Sequence, residues 1–163
     1  MGRAALRVSV ADLDTAIGDR QRVLLDSSVL IAFHNPHEQT HPLAAHALQR
    51  IRATTDELRG YVSMVSACEV MVRPVRTSTQ AFTFMHEFLT GFPNLTLLPV
   101  DLGVASQAAT LRSVSRARLG DALIVASGLL AGCEVLLSND ARWKQRLEPL
   151  FPQFRWLYLG DYL

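Results

Sequence analysis

Lysine is almost missing from this chain. Lys144 is the only one, and the other fifteen basic residues are arginines. Arginine suits bidentate phosphate contacts, although a coding bias toward arginine gives the same composition. Net charge is also missing: at +1 it offers no whole-protein electrostatic argument for nucleic acid. Cysteine is scarce, with only Cys68 and Cys133. Two thiols without a CxxC pair make no disulfide framework. They read as reduced core residues of a cytoplasmic protein. No long apolar run is present. Residues 122–137 come closest, but Gly128, Gly132 and Glu134 interrupt them, which leaves too little to span a bilayer. The start, with Arg3, Arg7 and Asp12 and no apolar stretch between them, does not read as a signal peptide.

What is present is a globular composition. Hydrophobic residues make up 49% and charged residues 19% of 163 positions, enough for one sizeable core. Short apolar runs alternate with helical patterns. Val23–Leu25, Tyr61–Val65, Leu95–Leu98, Glu134–Leu137 and Phe154–Leu159 read as strands. Pro42–Arg52, a segment opening at Ser66, Thr79–Leu89, Leu102–Val114, Leu119–Ala131 and Ala141–Leu147 read as helices. The Ser66 helix is expected to end near Arg73-Pro74. Such alternation predicts an α/β fold with a mostly parallel sheet. Residues 1–21 read as an N-terminal extension, either a short surface helix capped by Ser9 or partly disordered. Residues 22–163 form the main domain.

Four acids stand out: Asp26, Glu69, Asp121 and Asp140. Asp26 and Asp140 follow apolar runs that read as buried parallel strands. The carboxyl end of such a strand is where open α/β sheets place their sites. Glu69 and Asp121 open helical segments that can start at the same edge. Each acid alone has a bland reading as a helix cap. Ser66-x-x-Glu69 in particular has the capping-box pattern. Asp12 and Asp101 are read as caps or solvated charges. As a set, the four would repel one another without a counter-charge. A hard divalent cation with oxygen ligands is the simplest remedy.

The resemblance becomes specific when these positions are taken with their neighbours. Val23-Leu24-Leu25-Asp26-Ser27-Ser28-Val29-Leu30 resembles the opening strand of a PIN domain. Ser66-Ala67-Cys68-Glu69-Val70 resembles that family's Ser-x-x-Glu helix start. Leu119-Gly120-Asp121-Ala122-Leu123-Ile124-Val125-Ala126 is similar to its Asp-Ala-Leu-Ile-Ala-Ala helix. Leu136-Leu137-Ser138-Asn139-Asp140-Ala141-Arg142-Trp143 is similar to its Thr-Asn-Asp-x-x-Phe turn, with Ser for Thr and Trp for Phe. The likeness runs from about Val23 to Leu159 and leaves residues 1–21 outside. It implies a three-layer PIN-like fold and a ribonuclease dependent on Mg²⁺ or Mn²⁺, most often the VapC-type toxin of a toxin–antitoxin pair. In that reading Asp26, Asp121 and Asp140 hold metal directly or through water. Glu69 completes the charge and acts on the attacking water. Ser28, Ser138 and Asn139 orient carboxylates or water. The implied partners are RNA, an antitoxin and a second copy of the chain, with no membrane.

Other features rank lower. Arg73, Arg76, Arg112, Arg116 and Arg118 are candidate RNA contacts, or ordinary solvated helix ends. His37 and His41 are four apart, but Pro36 and Pro42 oppose a helical zinc site there. Phe82, Phe84, Phe88 and Phe92 read as core or partner-facing rings, and the implied dimer would use this face. Two other classes are kept. One is a PIN-like module that binds RNA or protein without cleaving. The other is a phosphatase-like acidic-pocket enzyme, which Ser28 disfavours by standing where an Asp-x-Asp motif needs its second acid.

Overall fold

The structure is a computed structural model that describes residues 9–18, 22–53 and 57–163. Five strands form one sheet: β1 Arg22–Leu25, β2 Arg59–Ser63, β3 Leu95–Leu98, β4 Val135–Ser138 and β5 Arg155–Tyr158. Their order is β3-β2-β1-β4-β5, and every pairing is parallel. Eight helices surround it among the described residues: α1 Val10–Ile17, α2 Ser27–His34, α3 His41–Arg52, α4 Met64–Thr77, α5 Thr79–Gly91, α6 Leu102–Val114, α7 Leu119–Leu130 and α8 Trp143–Arg146. The α/β reading with a parallel sheet therefore holds.

Successive strand residues face opposite ways, and the cores divide accordingly. Val23, Leu25, Val135 and Leu137 join the core beneath α1 to α5. Leu24 and Leu136 face the other core, with α6, α7 and the segment around Trp143. Trp143 is buried and meets Trp156 edge-on, with ring centroids 6.1 Å apart. Gly128 lets α7 lie close on the sheet. A Cβ there would stand 2.5 Å from Leu24 Cδ2.

Chain direction turns at the middle of this sheet. From β1 the connections lead outward through β2 to β3, and from β4 to β5 on the other side. The gap beyond the carboxyl ends of β1 and β4 is the topological switch point, where sheets of this kind bind ligands.

Several sequence expectations need correction. Of the expected extension, residues 1–8 and 19–21 lie outside the described residues, and the short helix forms as α1, packed more deeply than a surface helix. Leu13 and Ile17 are buried in the core, Ser9 caps it as expected, and Asp14 bonds His46 at 2.9 Å and Arg50 at 3.2 Å. Strand β2 ends at Ser63, two residues short of Val65. Helix α4 accordingly opens at Met64 rather than Ser66, with the Ser63 hydroxyl accepting the Val65 N–H at 3.3 Å. It does not stop at Pro74. Proline removes one helical hydrogen bond, yet the last turn closes, with the Thr77 hydroxyl donating to the Arg73 carbonyl at 2.9 Å. The helix after β4 is shorter than expected and starts at Trp143. Cys68 is exposed rather than in the core. Cys133 is buried, and burial pushes its thiol up to about 12.

Candidate active site

Asp26 is the best-anchored acid. It ends β1 with its backbone N–H donating to the Leu137 carbonyl of β4 at 3.1 Å. Its side chain is only 4% exposed. The Ser28 hydroxyl donates to Asp26 Oδ2 at 2.6 Å and the Ser138 hydroxyl donates to the same oxygen at 3.1 Å. The other oxygen, Oδ1, has a long 3.5 Å contact from the Ser27 hydroxyl. Although Asp26 stands at the N-cap position of α2, it makes no side-chain capping bond. Burial raises its pKa above the ordinary carboxylate value, and the Ser28 and Ser138 bonds only partly oppose this.

The same serines tie the β4 turn to β1. Ser28 Oγ accepts the Asn139 N–H at 2.9 Å, and Ser138 Oγ accepts the Asp140 N–H at 3.0 Å. Each hydroxyl both donates and accepts, so each serves the carboxylate and the turn together. Ser28, Ser138 and Asn139 thus lie beside Asp26 and Asp140.

Glu69 is the sixth residue of α4, so the capping box foreseen from Ser66 does not form. Ser66 Oγ is buried and has no hydrogen-bond partner. Glu69 is free of the structural role that its sequence pattern suggested. Its pKa is raised, chiefly by burial and then by the Asp26 and Asp121 charges, while a hydrogen bond from Ser27 opposes the shift. Gly120, next to Asp121, lies beside Val65 and Glu69 of α4. A Cβ there would be 4.0 Å from Glu69 Oε1.

Asp121 lies in the first turn of α7, where Arg118 holds the N-cap position without a side-chain bond. It too is no cap. Burial raises its pKa, with Asp26 and Asp140 adding to the rise, while Arg146 and Arg118 pull it down. The acids are linked in pairs: Asp26 and Asp121 act on Glu69, and Asp26 and Asp140 act on Asp121.

Asp140 differs from the other three. Its Oδ1 accepts the Arg142 N–H at 3.0 Å, a local turn bond. The Arg142 guanidinium also reaches it, with Nε at 2.8 and 3.1 Å and Nη2 at 2.6 Å. This fork holds Asp140 below the ordinary carboxylate value. Among the described residues, no group of three or more His, Cys, Asp and Glu side chains stands in a metal-holding arrangement. The donor chemistry nevertheless fits a hard cation: all the donors are carboxylates, three of them raised chiefly by burial, with repulsion between acids adding to the rise at Glu69 and Asp121.

Two contributors escaped the sequence reading. Arg142 forks Asp140, and Arg146 lies in the field of both Asp121 and Asp140. An arginine two residues beyond an acid that ends a strand was the available signal. Of the candidate RNA contacts, Arg118 lies near Asp121. Arg112 Nε donates to the Ala117 carbonyl at 3.3 Å. Arg73 borders a separate cavity of about 270 Å³ with His34 and Met85. Arg76 and Arg116 are exposed. His41 Nδ1 lies 3.0 Å from the Ala32 carbonyl. Phe88 and Phe92 pack with Phe33 on the core, whereas Phe84 is exposed.

The comparisons with known proteins agree with this architecture. A family model of the PIN domain matches residues 23–146, and the chain belongs to that family. No curated protein matches it. Among solved structures, a toxin–antitoxin complex from Klebsiella pneumoniae superposes with a TM-score of 0.62 at 18% identity, covering 84% of this chain and 97% of that one. VapBC2 from Rickettsia felis, bound to a DNA fragment from its promoter, gives 0.62 at 13% identity, covering 84% and 98%. Mycobacterium tuberculosis VapC20, a sarcin-ricin loop cleaving toxin, gives 0.60 at 15% identity, covering 77% and 97%. At these identities the likeness is one of fold.

Proposed function

We propose that the chain is an endoribonuclease dependent on Mg²⁺ or Mn²⁺, and the toxin of a toxin–antitoxin pair acting in the cytoplasm. The observation that carries this reading is the acidic cluster at the switch point: Asp26 buried and hydrogen-bonded by two serines, with Glu69 and Asp121 in its field and Asp140 acting on Asp121. The toxin and toxin–antitoxin complexes among the fold neighbours support the wider role.

In this reading Asp26, Asp121 and Asp140 hold the ion. A divalent ion, when bound, supplies a nucleophilic water and charge stabilisation at the phosphate. The residues of the chain do the rest. Ser28 and Ser138 both hold Asp26 Oδ2, which fixes the carboxylate and leaves Oδ1 with only the long Ser27 contact. Glu69, whose pKa is raised, is suited to take a proton from the attacking water. Arg118 and Arg146 offset the charge of Asp121 and would meet a phosphate backbone. Ser28 replaces the second acid that an Asp-x-Asp phosphatase requires, and its hydroxyl is committed to Asp26.

Partners follow from the same reading: RNA as substrate, an antitoxin over the cleft, and a second copy of the chain. The direct test is cleavage of structured RNA by the purified protein with Mg²⁺, with Mn²⁺ and with excess chelator. Cleavage that depends on the metal and is lost with Asp26→Asn supports the assignment. Undiminished cleavage in chelator rejects it.

A further inference from the structure

The Asp140–Arg142 fork does more than close a turn. Both carboxylate oxygens are taken, by three guanidinium contacts and one backbone N–H. Asp26, Glu69 and Asp121 make no salt bridge among the described residues, so one guanidinium is bonded directly to the cluster, at one acid. The turn presents this pairing. Ser138 receives the Asp140 N–H and Asp140 receives the Arg142 N–H, so the backbone of the turn is held on both sides of the pair. Arg142 is 73% exposed while Asp140 is 21% exposed, so the guanidinium lies on the solvent side of the carboxylate. Leaving therefore returns it to water with little rearrangement. Exposed ion pairs are weak, and a divalent ion brings twice the charge.

We infer that Arg142 is an internal cation that occupies Asp140 in the metal-free protein and must leave before a divalent ion takes that carboxylate. This inference rests on the proposed metal-dependent function. It assigns Arg142 a positioning role: it holds Asp140 and lowers the apparent affinity of the site for metal. A metal titration is then a competition between two cations for one carboxylate.

The test is Mn²⁺ binding to the full chain by titration calorimetry, without RNA. Arg142→Gln removes the charge and the fork from an exposed position and leaves the acids intact. The expected result is tighter Mn²⁺ binding, by about two- to fivefold, the range to which an exposed pair corresponds. The gap should narrow at high salt, because the competing pair is screened. In an Asp140→Asn background the same Arg142→Gln change should leave affinity unaltered, since nothing remains to compete for. Arg142→Lys, which keeps the charge without the fork, should fall between. Affinity of Arg142→Gln equal to or weaker than wild type overturns the inference and leaves the metal-dependent reading standing. Absence of Mn²⁺ binding to wild type and variant alike overturns both.

Discussion

Ser28 Oγ and Ser138 Oγ stand 3.4 Å apart, 110 positions separated in sequence, and both donate to the same oxygen of Asp26. Because each also accepts a backbone N–H of the β4 turn, two hydroxyls fasten the end of β1 to the end of β4. Ser138→Ala would leave the Asp140 N–H and one lone pair of a buried carboxylate unsatisfied. We expect a loss of about 1–3 kcal/mol and reduced cleavage, with Ser138→Thr restoring both. Denaturant melts of the three proteins provide the check.

Asp26→Asn should abolish cleavage with the fold intact, and the metal-free variant should melt no lower than wild type. Asn keeps an acceptor for Ser28 and Ser138 and removes a charge that burial disfavours. A clear drop in melting temperature would show that the charge itself stabilises the protein.

The same reasoning sets a pH dependence for the metal-free protein. Asp26, Glu69 and Asp121 all have raised pKa values, with burial the first cause in each. Just above the ordinary values of 3.8 and 4.5 the folded state therefore holds more protons than the unfolded state. Stability must fall as pH rises through that region. Asp14 and Asp140 act in the opposite sense. Their pKa values are lowered, so their contribution is present at neutral pH and lost as pH falls below about 3.8. Calorimetric melts in chelator should show a melting temperature that declines as pH rises above the ordinary values of 3.8 and 4.5, with a flatter profile in Asp26→Asn. A steady rise over that range would contradict this account.

Glu69 can now be separated from a capping role. Since α4 starts at Met64, Glu69→Gln and Glu69→Ala should both keep the helix, alanine being the best helix former. Both should lose cleavage and bind Mn²⁺ more weakly. A stability loss above about 1 kcal/mol in the alanine variant alone would restore the cap.

Gly128→Ala should be costly for purely steric reasons. The added methyl would meet Leu24 Cδ2 at 2.5 Å and Phe154 Cζ at 3.2 Å, both in the core. Overpacking of this kind costs about 1–3 kcal/mol. Thermal melts check it, and Gly91→Ala, which meets nothing within 4 Å, is the matched control.

The strands and the four acids were readable because buried parallel strands are short apolar runs and their ends carry the site. Leu95–Leu98 and Leu102–Val114 have the bounds that the pattern indicated. The error at Ser66 has a physical origin. Val62-Ser63-Met64-Val65 is continuous apolar chain around one small polar residue, and periodicity alone does not show where strand gives way to helix. Ser63, wholly buried, makes that break by capping α4, and its hydroxyl lies 3.2 Å from Ser127 of α7. Helix α1 packs through Leu13 and Ile17, with Val10 and Ala16 against the same core, a stripe at helical spacing in a segment of only eight residues. The Arg142 fork depends on rotamers within a turn, which no spacing rule encodes.

The edge-on pair of Trp143 and Trp156 has a practical consequence. These are the only two tryptophans in the chain, and Trp143 follows Asp140 by three residues. Ultraviolet emission from the unlabelled protein therefore originates beside the turn that carries Asp140 and Arg142. A change in the colour or yield of that light during a titration reports on this turn, with no dye or tag attached.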